Sequence, residues 1–587
     1  MKYMKLFAVA ILLLQTAVSE VQANSNDGSA MRAMRDEMKR TISQLQIENL
    51  EKPYYVEYSL VRKKSYAAKA ENGAVSVCDD NEYVRLSVNV RIGDYKFDNS
   101  NFLDFSSFFF GSDDDEERFI GRLIPLDADY STLRRELWLA TDAAYKSALE
   151  TYTKKVASLK NRVRKDSTPD FIPAKGQISV DTFPLPEINL SDFAGLCRDI
   201  SAMYSKYPEI YASQTSFEYS TDELLYLNSE GVEMQKNDMY SGIEIAAYTQ
   251  AGDGMPFGNF YSAYAINPLD LPKKDSLMKA NADLIKSISA IVQAPVLDEP
   301  YSGPMLFAGQ AAGEIFAQIF APQLIAQRDM LTEQGKQANE RYSAFQNKIG
   351  GRVLPEFMSV SDDPTSAKYG KTPLFGNYKY DDQGMNAQKI VLVADGYLKN
   401  LLSGRTPTKR VKESNGHFRG AGPMISNLLV ETNADHAKSY ADMKAKMMKL
   451  CKDRELPYGI VIKKMMNPNI FATVLYSLSS GLLMPKFNQI LGPVEAYRVY
   501  PDGREELVRG VDFGSFSPQS FKDVILCGKN KNVLNYYMSG VVQALSFAGS
   551  RYTNVSVVVP DLLFEDAEIK PNDEDTPKLP LYSNPEN

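Results

Sequence analysis

Apolar and polar residues alternate over 53–60 (PYYVEYSL) and again over 83–91 (YVRLSVNVR), the period of two that turns one face of a strand inward and the other to water. A helical period comes first: Met34, Met38, Ile42, Leu45 and Ile47 recur among charges over 31–50, which predicts a soluble amphipathic helix that stops before Pro53. Together these segments predict an antiparallel sheet with one helix-covered face. A longer stripe, Leu133, Leu137, Ala140, Ala144, Ala148, Tyr152, Val156, Leu159 and Val163, predicts a helix over 133–163. Its last turns are basic (Lys154, Lys155, Lys160, Arg162, Arg164, Lys165), which suits the negative end of a helix dipole. Pro169 and Pro173 mark 167–175 as a linker.

Strand patterns return at 217–220 and 224–233, joined by a turn containing Asn228-Ser229-Glu230-Gly231, and continue at 243–251 and 260–265. A helix follows over 277–292, then a proline-bounded linker at 295–304. The stretch 301–330 opens with a Ser-Gly-Pro turn and a short apolar strand, Met305 to Phe307. It then places Ala311, Ala312, Ile315, Phe316, Ile319 and Phe320 at the spacing of a buried helix face. The polar run 326–343 continues as helix. Beyond it come a turn at 380–384, a strand and hairpin over 390–399, loops at 405–411 and 414–419, and a strand reached through Pro423. A hairpin turned by Pro501-Asp502-Gly503 joins 494–499 to 506–508, and 554–560 is the last strand. Asn433-Ala434-Asp435-His436 reads as a helix start with Asp435 capping it and His436 at the surface. The end of the chain, rich in Pro, Asp, Glu and Asn, has too little apolar surface to fold by itself and is expected to be a flexible tail over 566–587.

Composition narrows the function. At 587 residues, with 44% hydrophobic and 24% charged side chains, the chain is long enough for two large domains. A net charge of -8 with no concentrated basic surface argues against nucleic acid as a partner. Lys2 and Lys5, an apolar core from Leu6 to Leu14 and small residues near Ala23 read as a signal peptide over 1–23, so the mature chain is expected to be exported, periplasmic or extracellular, with no membrane span. Five acids, 113–117, lack the spacing and glycine of a calcium loop and read as a solvated turn. The four cysteines, Cys78, Cys197, Cys451 and Cys527, show no Cys-x-x-Cys spacing; disulfides or isolated buried thiols both fit. No glycine loop follows a strand in the way that cradles phosphate, and no cofactor is implied.

The strand, small-residue pair and apolar helix of 301–330 resemble the corresponding segment of the TldD/PmbA family. So do the Asn-Ser-Glu-Gly turn, Asp381-Asp382-Gln383-Gly384 with its following strand and hairpin, Ser414-Asn415-Gly416-His417-Phe418-Arg419, and the element from Pro423 to Glu431, in that order. The resemblance implies a two-domain α+β fold, with an N-terminal sheet-and-helix domain over 24–300 and a β-rich C-terminal domain over 301–565, pairing across a large interface and, in the TldD branch, a zinc site built on His-Glu-x-x-x-His that cleaves unfolded peptides. Matching the preceding strand puts Gly309-Gln310-Ala311-Ala312-Gly313-Glu314 on that motif, so the chain resembles the PmbA-type branch, and no metal ligand is assigned. Cys527-Gly528-Lys529 imitates the tripeptide at the family's distant cysteine ligand but falls one element early.

The function expected is an exported TldD/PmbA-like protein that binds or helps degrade unfolded peptides, as a homodimer or beside a zinc-motif-bearing paralogue. Extended peptide is expected to add a strand to an exposed sheet edge. A divergent hydrolase using Glu314 and His417 as catalytic groups, or a scaffold of the cell envelope without chemistry, are the alternatives. Asn415, Gly416, Arg419 and Asn427 are the candidate substrate-binding residues, while Glu314, with no partner charge in the sequence, reads first as a helix-surface acid.

Overall fold

The computed structural model describes residues 28–47, 50–103, 121–160, 167–332, 335–337, 344–420, 422–479, 490–539, 552–572 and 578. The expected signal peptide and the acidic run 113–117 lie outside them.

Among the described residues the N-terminal alternation resolves into a seven-stranded sheet: β1 (Pro53–Glu71), β2 (Ala74–Ile92), β3 (Arg122–Ile124), β4 (Gln177–Asp181), β5 (Ala212–Asn228), β6 (Val232–Gln250) and β7 (Pro256–Ala265). Its order is β3-β2-β1-β5-β6-β4, with β7 also on β6. All neighbours are antiparallel except β4, which runs parallel to the start of β6. The β5–β6 turn holds Gly231 at φ 85°, a left-handed conformation that costs glycine nothing. One face carries Val56, Tyr58, Leu225 and Leu227 at one end of the long strands and Ala68, Ala70, Phe217 and Tyr219 at the other. Helices α1 (28–44) and α2 (Tyr130–Leu159) cover the first end, and α3 (Leu190–Ser201) and α4 (Lys274–Gln293) the second. The other face turns to the C-terminal domain. Lys155 departs from the expected basic helix surface: it is buried, and its Nζ donates to Asp170 at 2.7 Å and to the Asp98 carbonyl at 2.8 Å.

The C-terminal domain is built on a twelve-stranded sheet among the described residues. Its strands include β8 (Tyr301–Phe307), β9 (Met358–Asp362), β10 (Ile390–Ala394), β11 (Tyr397–Leu398), β12 (Asn427–Thr432), β13 (Gly459–Met465), β14 (Pro493–Val499), β15 (Glu505–Val508), β16 (Val511–Phe513), β17 (Val524–Ser539) and β18 (Tyr552–Pro571). The order is β11-β10-β9-β12-β18-β8-β13-β14-β15, with β16 and β17 on β18. Met305 and Phe307 of β8 face one core with Phe564, Phe521, Phe316 and Phe320. Leu306 faces the other with Met443, Met447 and Cys451 of α6 (Tyr440–Asp453). Each fully buried ring there contributes about 2–3 kcal/mol of burial free energy.

Four local readings are corrected. The run 326–343 is not helical where it is described: Met330–Thr332 pairs with a two-residue strand at Phe102–Leu103, a partner far away in sequence, so local periodicity carries no trace of it. Helix α6 is capped by Ser439, whose hydroxyl accepts from the Asp442 N–H at 3.1 Å, rather than by Asp435, because Asp442 completes a reciprocal capping box three residues on. His436 lies before the helix, its ring stacked 4.0 Å from that of Phe357. The tail begins later than expected, since β18 pairs with β8 and β16 as far as Pro571. All four cysteines are free thiols, Cys78 exposed and the others buried.

Candidate functional site

Strand β8, flanked by β13 and β18, delivers the chain through Gly309 into helix α5 (Gln310–Ile315), which continues as a π-turn, Phe316–Phe320. Gly309 sits at φ 59°, ψ -125°, a conformation only glycine adopts readily, and its N–H donates to Asp561 Oδ1 at 2.8 Å. A π-turn inside a helix often marks a functional position, and a second one, Phe471–Leu475, follows the segment that α5 packs against.

Three polar side chains, Gln310, Glu314 and Gln318, stand four residues apart on this otherwise apolar helix and meet the 465–467 segment together. Glu314 is 1% exposed, so it is no surface acid: the apolar helix is covered on every side, and the carboxyl goes inside with it. Its Oε2 accepts from Gln310 Nε2 at 3.1 Å and from Asn467 Nδ2 at 3.2 Å, and its Oε1 accepts from Gln318 Nε2 at 3.1 Å. Each amide is anchored in turn. Gln310 Oε1 accepts from the Met465 N–H at 2.9 Å, Gln318 Oε1 from the Leu491 N–H at 3.1 Å, and Asn467 Oδ1 from the Asn469 N–H at 3.0 Å. Burial pushes the Glu314 carboxyl up to about 7, while the three amide donors pull it down. The arrangement is a clasp: a carboxyl held by three neutral donors, tying the helix to the end of β13.

His417 occupies a second buried cluster. Its Nε2 lies 3.2 Å from Asp362 Oδ1 and its Nδ1 2.8 Å from the Asn415 carbonyl, so each ring nitrogen faces an acceptor. Asp362 also accepts from the Ser426 N–H at 2.9 Å and from the Ser426 hydroxyl. Asn415 Oδ1 accepts from the Ser403 N–H at 2.8 Å, and its amide donates to the Leu401 carbonyl at 2.9 Å. Gly416 sits at φ 71°, where a Cβ would meet the Asn386 carbonyl oxygen at 2.1 Å. Asn427 accepts from the Gly376 N–H at 2.9 Å and donates to the carbonyls of Asp363 and Ser366. Arg419 donates to the Asn554 carbonyl at 2.6 Å, with its guanidinium 5.0 Å from the centre of the Tyr378 ring.

Asn415, Gly416, His417 and Asn427 thus gather around the end of β9, and their polar atoms are spent on the backbone and on Asp362. Glu314 belongs to the end of β13, four strand spacings from β9, about 19 Å at the usual interstrand distance. The structure does not bring Glu314 and His417 together.

At α5 the donor set does not fit a zinc ion. Three amide NH2 groups point at the one carboxylate, and Gly309 offers no side chain. Among the described residues no group of three or more His, Cys, Asp or Glu side chains is placed to hold a metal. Cys527 is buried in β17, with its thiol pushed up to about 12 by burial. Sequence reading did not find the Gln310–Glu314–Gln318–Asn467 clasp, although three polar residues at four-residue spacing on an apolar helix were a readable sign of it.

Residues 301–570 match the model of the PmbA/TldA metallopeptidase C-terminal domain. Through this domain, somewhat under half of the chain, the protein is similar to the TldD/PmbA family. It is 38% identical over 81 residues to the metalloprotease MJ0996 of Methanocaldococcus jannaschii, a stretch that is 14% of this chain and 17% of that protein. It is 31% identical over 96 residues to a metalloprotease of Archaeoglobus fulgidus, 16% of this chain and 21% of the relative. The aligned stretches therefore span about a fifth or less of these relatives' length. The solved structure of TldE from Thermococcus kodakarensis superposes on 92% of this chain and 100% of its own, with TM-score 0.56 at 13% identity. That of TM0727 from Thermotoga maritima, a proposed modulator of DNA gyrase, covers 88% of this chain and 96% of its own, with TM-score 0.55 at 13% identity. At such identity these likenesses bear on the fold, which is the two-domain α+β arrangement.

Proposed function

We propose that this chain is an exported, peptide-binding member of its family that carries no zinc of its own and works beside a paralogous subunit bearing the His-Glu-x-x-x-His helix. The observation that supports this reading is the clasp at α5. Where the zinc-bearing branch would place ligands and base, this chain has Gly309, Gln310 and Glu314, and both Glu314 oxygens are taken by amide donors. A carboxyl so engaged is poorly placed to move a substrate proton, since a general base needs its lone pair free toward the reacting group. The N-terminal sheet and the two-domain frame are kept, which suits a role in holding polypeptide.

Native mass spectrometry of the complex purified from its own cells tests the proposal, because one spectrum reports partner and metal. A heterodimer with zinc on the other chain supports it. Chelator-sensitive hydrolysis of unfolded peptide by this chain alone overturns it.

A further inference from the structure

Strand β2 is paired along its whole length by β1 on one side, from Ala74 to Ile92, but on the other side β3 reaches only 84–86. At Ser76 the β1 register slips, with Val77 opposite Lys69 and Val75 opposite Ala70, and this bulge ends regular pairing toward the hairpin tip. The run 77–82 lies between bulge and β3, and among the described residues no strand pairs with its outer side. It is about 20 Å long, the length of an ordinary strand. In an antiparallel ladder alternate residues bond to the neighbour already present, and the others turn N–H and C=O outward. Cys78, Asp79, Asp80 and Asn81 are exposed, so nothing covers those groups from either face. The edge is also held rigidly, because the Gly73 N–H at the hairpin tip donates to Ser201 Oγ of α3 at 3.1 Å.

The run reads Val-Cys-Asp-Asp-Asn-Glu, three carboxylates and no base. The register fixes their faces. Asp80 lies opposite Tyr66 and Glu82 opposite Lys64, on the helix-covered face that Tyr58 and Ala68 share, while Asp79 lies opposite Ala67 on the other. Arg62 holds Glu82 at 2.7 Å, whereas neither Asp79 nor Asp80 has a base opposite it on β1. A strand added on the outer side places its own residues about 4.5–5.5 Å from these acids and on the same faces, the distance at which cross-strand charges interact. Sheets often guard an edge with charge. This guard is selective by sign: it repels an acidic strand, offers a neutral one no ion pair, and attracts a basic one.

We infer that 77–82 is a docking edge for extended polypeptide segments rich in lysine or arginine. The guest continues the sheet antiparallel to β2, with basic residues opposite Asp79, Asp80 and Glu82 and an apolar residue opposite Val77. The net charge of -8 speeds the encounter with such segments. This site rests on the peptide-binding reading given above and adds to it a preference of sequence.

Fluorescence anisotropy of the full chain with labelled, end-capped Lys-Thr-Lys-Lys-Thr-Val, written to run antiparallel to 77–82, tests it. Wild type is expected to bind, with affinity lowered about fivefold or more by Asp79→Asn, Asp80→Asn, by N-methylation of every peptide amide, and by added salt. The control Glu187→Gln, Glu299→Gln removes the same charge from exposed positions elsewhere and leaves binding unchanged. All four positions are on the surface, so folding is retained. The reversed pair Asp79→Lys, Asp80→Lys is expected to prefer Lys-Thr-Glu-Glu-Thr-Val, in which only the residues facing the changed positions differ. Equal binding by wild type and Asp79→Asn, Asp80→Asn, or of the N-methylated and plain peptides, overturns this edge as the site. Binding of a reduced, alkylated unfolded protein but not of the lysine peptide by wild type overturns the edge alone. Binding of neither overturns the functional reading with it.

Discussion

Arg405 and Glu230, 175 residues apart, form a buried ion pair with Nη2 and Oε2 2.6 Å apart. It joins the 405–411 loop of one domain to the β5–β6 turn of the other. Nη2 of the same guanidinium donates to the Ile172 carbonyl at 2.7 Å, and its carbon lies 4.0 Å from the centre of the Phe171 ring. Glu230 also accepts from the Tyr95 hydroxyl at 2.6 Å and the Ala174 N–H at 3.1 Å. Two motifs that were separate in the sequence are therefore halves of one interdomain latch. Arg405→Met should cost about 3–5 kcal/mol in urea unfolding, because it strands a buried carboxylate. Adding Glu230→Gln should recover part of that loss, and strictly additive effects would refute the coupling.

Glu314 makes stability depend on pH in a definite direction. Burial raises its carboxyl from 4.5 to about 7, so between those values the native state holds a proton that the unfolded chain has lost. The favourable term is complete below pH 4.5 and fades as pH climbs to about 7, by about 3 kcal/mol. Burial also raises Glu244 to about 7 and Asp381 to about 6, so the useful quantity is wild type minus Glu314→Leu across the range. A difference that stays flat with pH would show that the amide donors hold Glu314 ionised throughout.

What could be read in advance was what local chemistry decides. The hairpin at Asp502-Gly503, the turn at Asn228 to Gly231 and the strand-to-helix passage at Phe307 depend on neighbours in sequence, and all three fall where the pattern put them. The strand at Met330–Thr332 depends on Phe102 and Leu103, and the burial of Lys155 on Asp170 and Asp98; no window of the chain contains both halves of either. The site shows the same division. The residues around His417 were legible as a loop with chemistry, but Asp362, which decides what the imidazole does, lies 55 residues away. Glu314 was named without its partner Asn467, 153 residues on, and so read as a surface acid.

His417 and Asp362 are expected to be structural partners. Each is fully buried, and Asp362 also holds the Ser426 N–H, so the pair joins β9 to the approach of β12. Asp362→Ala should destabilise the chain by about 3–5 kcal/mol, since it leaves the ring nitrogen and the Ser426 N–H without an acceptor in the core. Thermal unfolding of Asp362→Ala and His417→Leu, alone and combined, measures the coupling. A double variant no less stable than either single would confirm that each loss comes from the partner left behind.

Rebuilding the histidine motif on α5 should not create a zinc site. The substitution set Gly309→His, Gln310→Glu and Glu314→His restores the residue types, yet Gly309 is held at φ 59°, ψ -125° by its bond to Asp561, where a side chain costs about 1–3 kcal/mol. Space is not the obstacle, since a Cβ there meets nothing within 4 Å; the backbone direction is. Replacing Gln310 and Glu314 also frees the backbone of Met465, which the Gln310 amide now binds from both its N–H and its carbonyl. The triple variant is therefore expected to be less stable than wild type and to retain well under one zinc per chain after dialysis, as read by elemental mass spectrometry. Stoichiometric zinc in a folded triple variant would mean that the Gly309 backbone rearranges freely, and that only side-chain identity separates this helix from a metal-binding one.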